Sequence, residues 1–171
     1  MVAISGRLAV TGETRCLAQV NVARQRADLV SPVMGELLAA LDPVNRIADQ
    51  CPGFVWRLQS EESHGATTLL HGGHPVVVNL SVWQSYEELH AFAYRSLHGA
   101  YLRQRSRWFH PTPPPSTALW WVKSDDRPTV EEALRRLRYL RAFGPSPQAF
   151  TMRQRFDPDG RPTRRGRHLG R

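Results

Sequence analysis

The chain has 171 residues, enough for one domain with its own core and a short tail. No window approaches the roughly 18 apolar residues of a membrane span, and MVAISGRLAVTGETR lacks the apolar run of a secretion signal, so a soluble cytoplasmic protein without a membrane partner is expected. Of the formal charge of +8, most lies from Arg153 onward, where seven arginines face two aspartates; that reads as a solvated tail, and nucleic acid is not the expected partner.

Residues 1–14 read as a flexible N-terminus, 15–156 as the folded domain and 157–171 as a basic disordered tail. RCLAQVNVAR reads as a strand with Leu17, Gln19 and Asn21 on one face and Ala18, Val20 and Val22 on the other. Ser31-Pro32 opens a helix carrying Met34, Leu37, Leu38, Leu41, Val44 and Ile47 at helical spacing. Pro43 is expected to kink or divide it, and CPG at 51–53 to stop it. FVWRLQ (54–59) is a second strand, followed by a polar Gly- and His-rich loop, SEESHGATTLLHGGHP. VVVNLSVW (76–83) alternates again, Val76, Val78, Leu80 and Val82 opposing Val77, Asn79, Ser81 and Trp83. A capping box, Ser85 with Glu88, then opens a helix expected to reach about Phe109. PTPPPS is a stiff link, TALWWVK a further strand, and Thr129 with Glu132 caps a helix that ends at Gly144-Pro145. AFTMRQRF is a last short strand. Cys16 and Cys51 form no CxxC pair and read as buried free thiols.

Strand, helix, strand, strand, helix, strand is the α+β order of a ferredoxin-like split βαβ unit, here with an extra helix. Helices are expected on one sheet face only. Trp83 and one of Trp120 and Trp121 on the other face then imply a covering partner, a homodimer packed sheet to sheet.

LAQVN at 17–21, PGFVWRLQ at 52–59, VNLSVWQSYEEL at 78–89, YRSLHGAYLRQRSRWF at 94–109, and LWWV with PTVEEA carry a resemblance over roughly residues 15–156. Together they resemble the bacterial domain-of-unknown-function 3291 family, within the dimeric α/β-barrel superfamily. Lys123 is the one lysine among the basic residues, the coding bias of a GC-rich bacterial genome. The resemblance implies a dimeric α/β barrel. The superfamily includes antibiotic-biosynthesis monooxygenases that need no cofactor, heme-degrading oxygenases, aldoxime dehydratases and cyclases. One departure stands after LWWV: Asp125-Asp126-Arg127-Pro128 replaces the Gly-His-x-Pro segment expected there.

Along the long helix, Leu89, Phe92, Ala93, Ser96, Leu97, Ala100 and Gln104 form a core stripe. Beside it run Tyr94, His98, Tyr101, Arg105 and Trp108, placed to overhang a cleft between helix and sheet; the plainer reading has them covering the core edge. His98 is the candidate acid/base, because imidazole exchanges a proton near neutral pH, and its Ser-x-His context is similar to the Ser-x-x-His region of the monooxygenases. The resemblance also implies a strand asparagine paired with a tryptophan around an enol-type oxygen, matched by Asn21 and more loosely by Trp83. An asparagine amide is able to steady an oxyanion; the alternative for Asn21 and Asn79 is satisfying edge backbone groups. Trp56, Trp83, Tyr94 and Trp108 would shape the cavity, and Arg57 would pair with a substrate carboxylate or phenolate, or with a surface acid.

No cofactor is expected. The alternative heme site would use His98, or less readily His64, His71 or His74; the heme-degrading relatives place their histidine where this chain has Arg103. Zinc at His64, His71 and His74 with Glu61 and Glu62 fits no closed-site spacing. No phosphate loop, dinucleotide fingerprint or nucleophile elbow occurs. The sequence thus points to a small-molecule enzyme of bacterial secondary metabolism, performing cofactor-independent oxygenation, or acid/base cyclisation or dehydration, of an aromatic or polyketide-like substrate. The alternatives are a non-catalytic metabolite-binding protein, a heme-dependent oxygenase or dehydratase and, more remotely, a nucleic-acid accessory protein.

Overall fold

β-Branched and aliphatic residues at every second position build the central sheet. In the computed structural model, which describes residues 14–28, 31–59, 67–71, 74–95 and 103–163, these strands are β1 (Arg15–Arg24), β2 (Phe54–Arg57), β3 (Thr67–His71), β4 (His74–Trp83) and β5 (Thr117–Lys123). Their order is β2-β4-β1-β5, every pairing antiparallel, with β3 beside the first half of β4. The strand β3 lies inside the stretch that composition marks as a polar loop. His71 and His74 close its hairpin.

The helices are α1 (Pro32–Gln50), α2 (Tyr86–Arg95) and α3 (Val130–Phe143), with a 3-10 turn at Arg105–Arg107. Pro43 sits inside α1, which remains one helical span rather than two. At both expected helix starts the N-cap hydroxyl accepts as foreseen: the Glu88 amide donates to Ser85 Oγ at 3.4 Å and the Glu132 amide to Thr129 Oγ1 at 3.2 Å. Gly144 ends α3 at φ 79°, a left-handed angle that suits glycine. The helix expected to run to about Phe109 is described as helix only to Arg95 and again just before the 3-10 turn.

Alternation gives the sheet two chemically different faces. Ala18, Val20, Val22, Val78, Leu80, Val82, Ala118 and Trp120 share one, and Leu134, Leu137 and Leu140 of α3 pack on it. Leu17, Trp83 and Leu119 lie on the other, with Leu89 of α2, Ala48 of α1 and Phe150 over them. Helices therefore cover both faces, which corrects the expectation of one-sided cover. Trp83 is fully buried beneath α2, and Trp121, which shares its face, is half-buried with Phe156, so the apolar groups that suggested a covering partner are covered by segments of this chain instead. Among the described residues no helix is long and apolar enough to cross a membrane.

After α3 the chain returns to the sheet. Phe150 exchanges backbone hydrogen bonds with Leu119 at 2.9 and 2.8 Å. Arg155–Phe156 (β6) then pairs with Pro162–Thr163 (β7). Asp157 holds the turn between them, its Oδ1 accepting from the Asp159 and Arg161 amides at 3.0 and 2.8 Å. The first residues of the expected tail, 157–163, are thus part of a hairpin; the short strand expected over AFTMRQRF reduces to the Phe150 bridge and β6. Residues 1–13 and 164–171 lie outside the described residues.

Candidate functional site

The face under α2 is graded. Cross-strand register stacks three rows on it: Trp83, Leu17 and Trp121; then Ser81, Gln19 and Leu119; then Asn79, Asn21 and Thr117. Apolar cover fills the first row. The third row opens into a cavity of about 320 Å³, roofed by Phe92, Ala93 and Tyr94 of α2 and flanked by Arg105 and Met152. That volume lies at the lower end of small-molecule sites, about 300–1,000 Å³.

Its floor is set by a one-way hydrogen-bond relay. The buried Trp83 Nε1 donates to Ser81 Oγ at 3.0 Å, and Ser81 Oγ donates to Gln19 Oε1 at 3.2 Å. Gln19 Nε2 then reaches the Asn79 carbonyl at 3.5 Å. An indole N–H only donates and a carbonyl only accepts, so the sense of the whole chain is fixed.

Asn21 and Asn79 differ in what they leave available. Asn21 Nδ2 donates to Thr117 Oγ1 at 2.8 Å and leans on the Ser116 carbonyl at 3.5 Å. Its N–H groups are therefore directed into the protein, and its Oδ1 remains as an acceptor. The geometry gives Asn21 the opposite sense from the oxyanion donor expected from the sequence. The Asn79 side chain is exposed in the cavity and makes no hydrogen bond among the described residues. Asn79 is thus the amide with an N–H free for a ligand, and Thr117 Oγ–H is a second donor.

Arg105 stands at the cavity on a braced turn. Arg26 Nε donates to the carbonyls of Ser106 and Phe109 at 2.8 and 3.2 Å, and the Arg26 amide to that of Trp108 at 2.9 Å. Trp108 is buried against Met34 and Leu37 of α1. Trp108, expected to line the cavity, anchors the turn from behind instead.

The remaining candidates divide as follows. Tyr94 lines the cavity, 56 % exposed, its ring 4.8 Å from that of His90. Trp83 is the floor beneath Phe92, stacked at 5.1 Å, and touches no open space. Trp56 lies on the opposite face with Val55 and Leu58, because a register shift between Phe54 and Trp56 exchanges the faces. Arg57 Nε is bound by Asp49 at 2.8 Å, the duller of its two expected roles. His98 and Tyr101 lie outside the described residues, as do His64, Glu61 and Glu62. No group of three or more metal-ligating side chains occurs among the described residues. Met152 is the one described lining residue that offers iron a soft donor, and no described imidazole lines the cavity, so the described lining does not suit heme. The departure at Asp125–Pro128 is structural, with the Lys123 amide donating to Asp126 Oδ2 at 3.1 Å and Arg127 Nη1 to the Asp126 carbonyl at 2.8 Å.

Gln19, Ser116 and Thr117 were not singled out in the sequence. Thr117 was within reach, since alternation along TALWWVK puts it in register with the Trp121 face. Met152 was not, because nothing in AFTMRQRF tells where that segment returns to the sheet.

Elsewhere, burial together with Arg26, Arg24 and His74 holds the His110 imidazole below its ordinary range. Burial raises the thiols of Cys16 and Cys51; at Cys16 nearby Arg127 opposes that shift and Glu88 adds to it. A second cavity of about 310 Å³ lies between α2 and the C-terminal hairpin. Its polar groups satisfy one another: Arg155 stacks on Tyr86 at 3.9 Å and Trp121 Nε1 donates to the Phe156 carbonyl at 2.8 Å.

A family model described as a domain of unknown function (DUF3291) matches residues 16–166. No curated protein and no solved structure matches the chain.

Proposed function

The chain belongs to the DUF3291 family, whose description assigns no activity, and from that premise we propose a function on the site itself: the cavity under α2 receives a small aromatic or polyketide-like molecule. The observation that carries this reading is the third row of the sheet face. There Asn79, Asn21 and Thr117 converge beside Phe92, Tyr94 and Met152, a few polar groups set in an apolar wall. Asn79 donates to a ligand oxygen and Asn21 Oδ1 accepts from a ligand hydroxyl.

In the enzymatic reading, proton transfer falls to His98, and the substrate undergoes cyclisation, dehydration or cofactor-independent oxygenation in the cytoplasm. A developing oxyanion is then met by Asn79 rather than by Asn21. The strand order β2-β4-β1-β5 supports a ferredoxin-like split βαβ unit with α3 appended. A homodimer belongs to this reading, its contact formed outside the sheet faces that α2 and α3 cover; a monomer by light scattering at micromolar concentration would refute it.

A second reading, non-catalytic metabolite binding, is favoured by one feature. None of the described lining residues is a histidine, aspartate or glutamate, the side chains most used to move a proton in catalysis. Binding of hydroxyaromatic compounds to wild type and Asn79→Leu, followed by ligand-observed NMR, tests the cavity. We expect about tenfold weaker binding in the variant, the scale of one good hydrogen bond; equal affinity would remove the cavity from consideration. Oxygen uptake and product analysis then separate the reactions. Lost turnover with retained binding in His98→Ala supports the enzyme, whereas wild-type binding without turnover selects the metabolite-binding protein.

A further inference from the structure

Resting on that reading of the cavity, we propose that its ligand is a hydroxylated aromatic acid, its anionic group set against Arg105 and its hydroxyl against Asn21 Oδ1. Three observations carry this. First, Arg105 is the sole formally charged residue among the described lining residues. Its guanidinium makes no ion pair and no side-chain hydrogen bond with any described residue, whereas Arg107 on the same turn binds Glu36 at 2.8 Å and Arg57 binds Asp49. A cationic fork beside a partly apolar cavity gains from an anion that brings its own acceptor pair.

Second, the charge is positioned. The segment bearing Arg105 is fastened by Arg26 to the carbonyls of Ser106, Trp108 and Phe109 and by buried Trp108 to α1. The Trp108 and Phe109 amides close on the Arg105 carbonyl at 3.2 and 2.9 Å. A turn held on both sides costs little further ordering when the ligand arrives.

Third, the floor states the rest of the ligand. With Asn21 Nδ2 committed to Thr117 and Ser116, its Oδ1 accepts a hydrogen bond and repels an anion. The negative group therefore belongs at Arg105, and a hydroxyl belongs over Asn21, between the donors Asn79 and Thr117 of the neighbouring strands. Leu89, Phe92, Tyr94 and Met152 enclose the ring that joins them.

The experiment compares 1-hydroxy-2-naphthoate with 1-naphthol, which lacks the carboxylate, by titration calorimetry on wild type, Arg105→Gln and Arg107→Gln. The wild type should bind the acid about tenfold more tightly than the naphthol, as a charge-assisted pair gives. Arg105→Gln should bring the two to similar affinity, while Arg107→Gln should leave their ratio unchanged. Added salt should weaken the acid and spare the naphthol. Equal wild-type affinities, or a preference that survives Arg105→Gln, would overturn the assignment while leaving the cavity reading intact. Failure of both compounds to bind at millimolar concentration would overturn the assignment and the cavity reading together.

Discussion

Ser81→Ala removes the middle of the relay under the cavity, and its cost follows from where each partner lies. Ser81 is 6 % exposed and Trp83 not exposed at all. Without the hydroxyl, Trp83 Nε1 has no acceptor and no path for water to reach it. An orphaned buried donor costs about 1–3 kcal/mol. Gln19 Oε1 also loses its donor, but Gln19 is half-buried and borders the open cavity, so water replaces that bond at little cost. Trp120 already carries a buried indole N–H without a partner among the described residues; the variant adds a second. We expect about 1–3 kcal/mol of destabilisation in urea with an unchanged slope, and a thermal midpoint lower by about 2–4 °C per kcal/mol. The control is a double-mutant cycle with Trp83→Phe, which has no N–H to strand. In that background Ser81→Ala should cost at least about 1 kcal/mol less. A loss below about 0.5 kcal/mol in the single variant, or the same loss in both backgrounds, would refute the relay as a stabilising element.

Other expectations rest on single features. Gly53 has φ 73°, and a Cβ there meets only the movable Glu88 carboxylate; Gly53→Ala should cost roughly 1 kcal/mol, from the left-handed backbone angle, read from chemical denaturation. Leu137, fully buried between α3 and the sheet, should cost about 2–5 kcal/mol as alanine in the same assay. The Cys16 thiol is buried and its pKa raised, so a thiol reagent at mildly alkaline pH should modify it only as fast as the protein opens; rapid labelling of the native chain would contradict its placement. For His110 the imidazole pKa is depressed in the fold, so the unfolded chain binds the proton more readily. Its contribution is present above the ordinary histidine pKa of about 6.5 and is lost as pH falls through the depressed folded value. His110→Gln should flatten that part of the stability-pH curve, measured by urea titrations across the acid range.

How far the sequence carried depended on whether a signal was local. Alternation in RCLAQVNVAR and TALWWVK placed β1 and β5 to their observed ends, and in VVVNLSVW it put Asn79 and Trp83 on one face of β4, because side-chain period is a backbone property. Ser85 and Thr129 marked helix starts for the same reason. The failures came from contacts between distant segments. Trp56 changed face through a bulge that only pairing with β4 defines. Trp108 continued a helical stripe on paper yet packs against α1, and the cover of the Val20 face comes from a helix late in the chain. The amide of Asn21 was visible as a polar group on a buried strand, but its donor sense depends on Ser116 and Thr117, almost a hundred positions away.

The position of α3 also fixes when the domain can close during synthesis. Ala18, Val20 and Val22 leave the ribosome early, yet the leucines that cover them sit at 134, 137 and 140. Until those residues emerge, the growing sheet presents a bare aliphatic surface, and closure must draw together segments more than a hundred residues apart, a slow step for a chain of this size. A nascent or truncated chain ending before Leu140 therefore carries an uncovered sheet, a natural substrate for chaperones and a seed for aggregation. In this topology α3 acts as the latch of the fold.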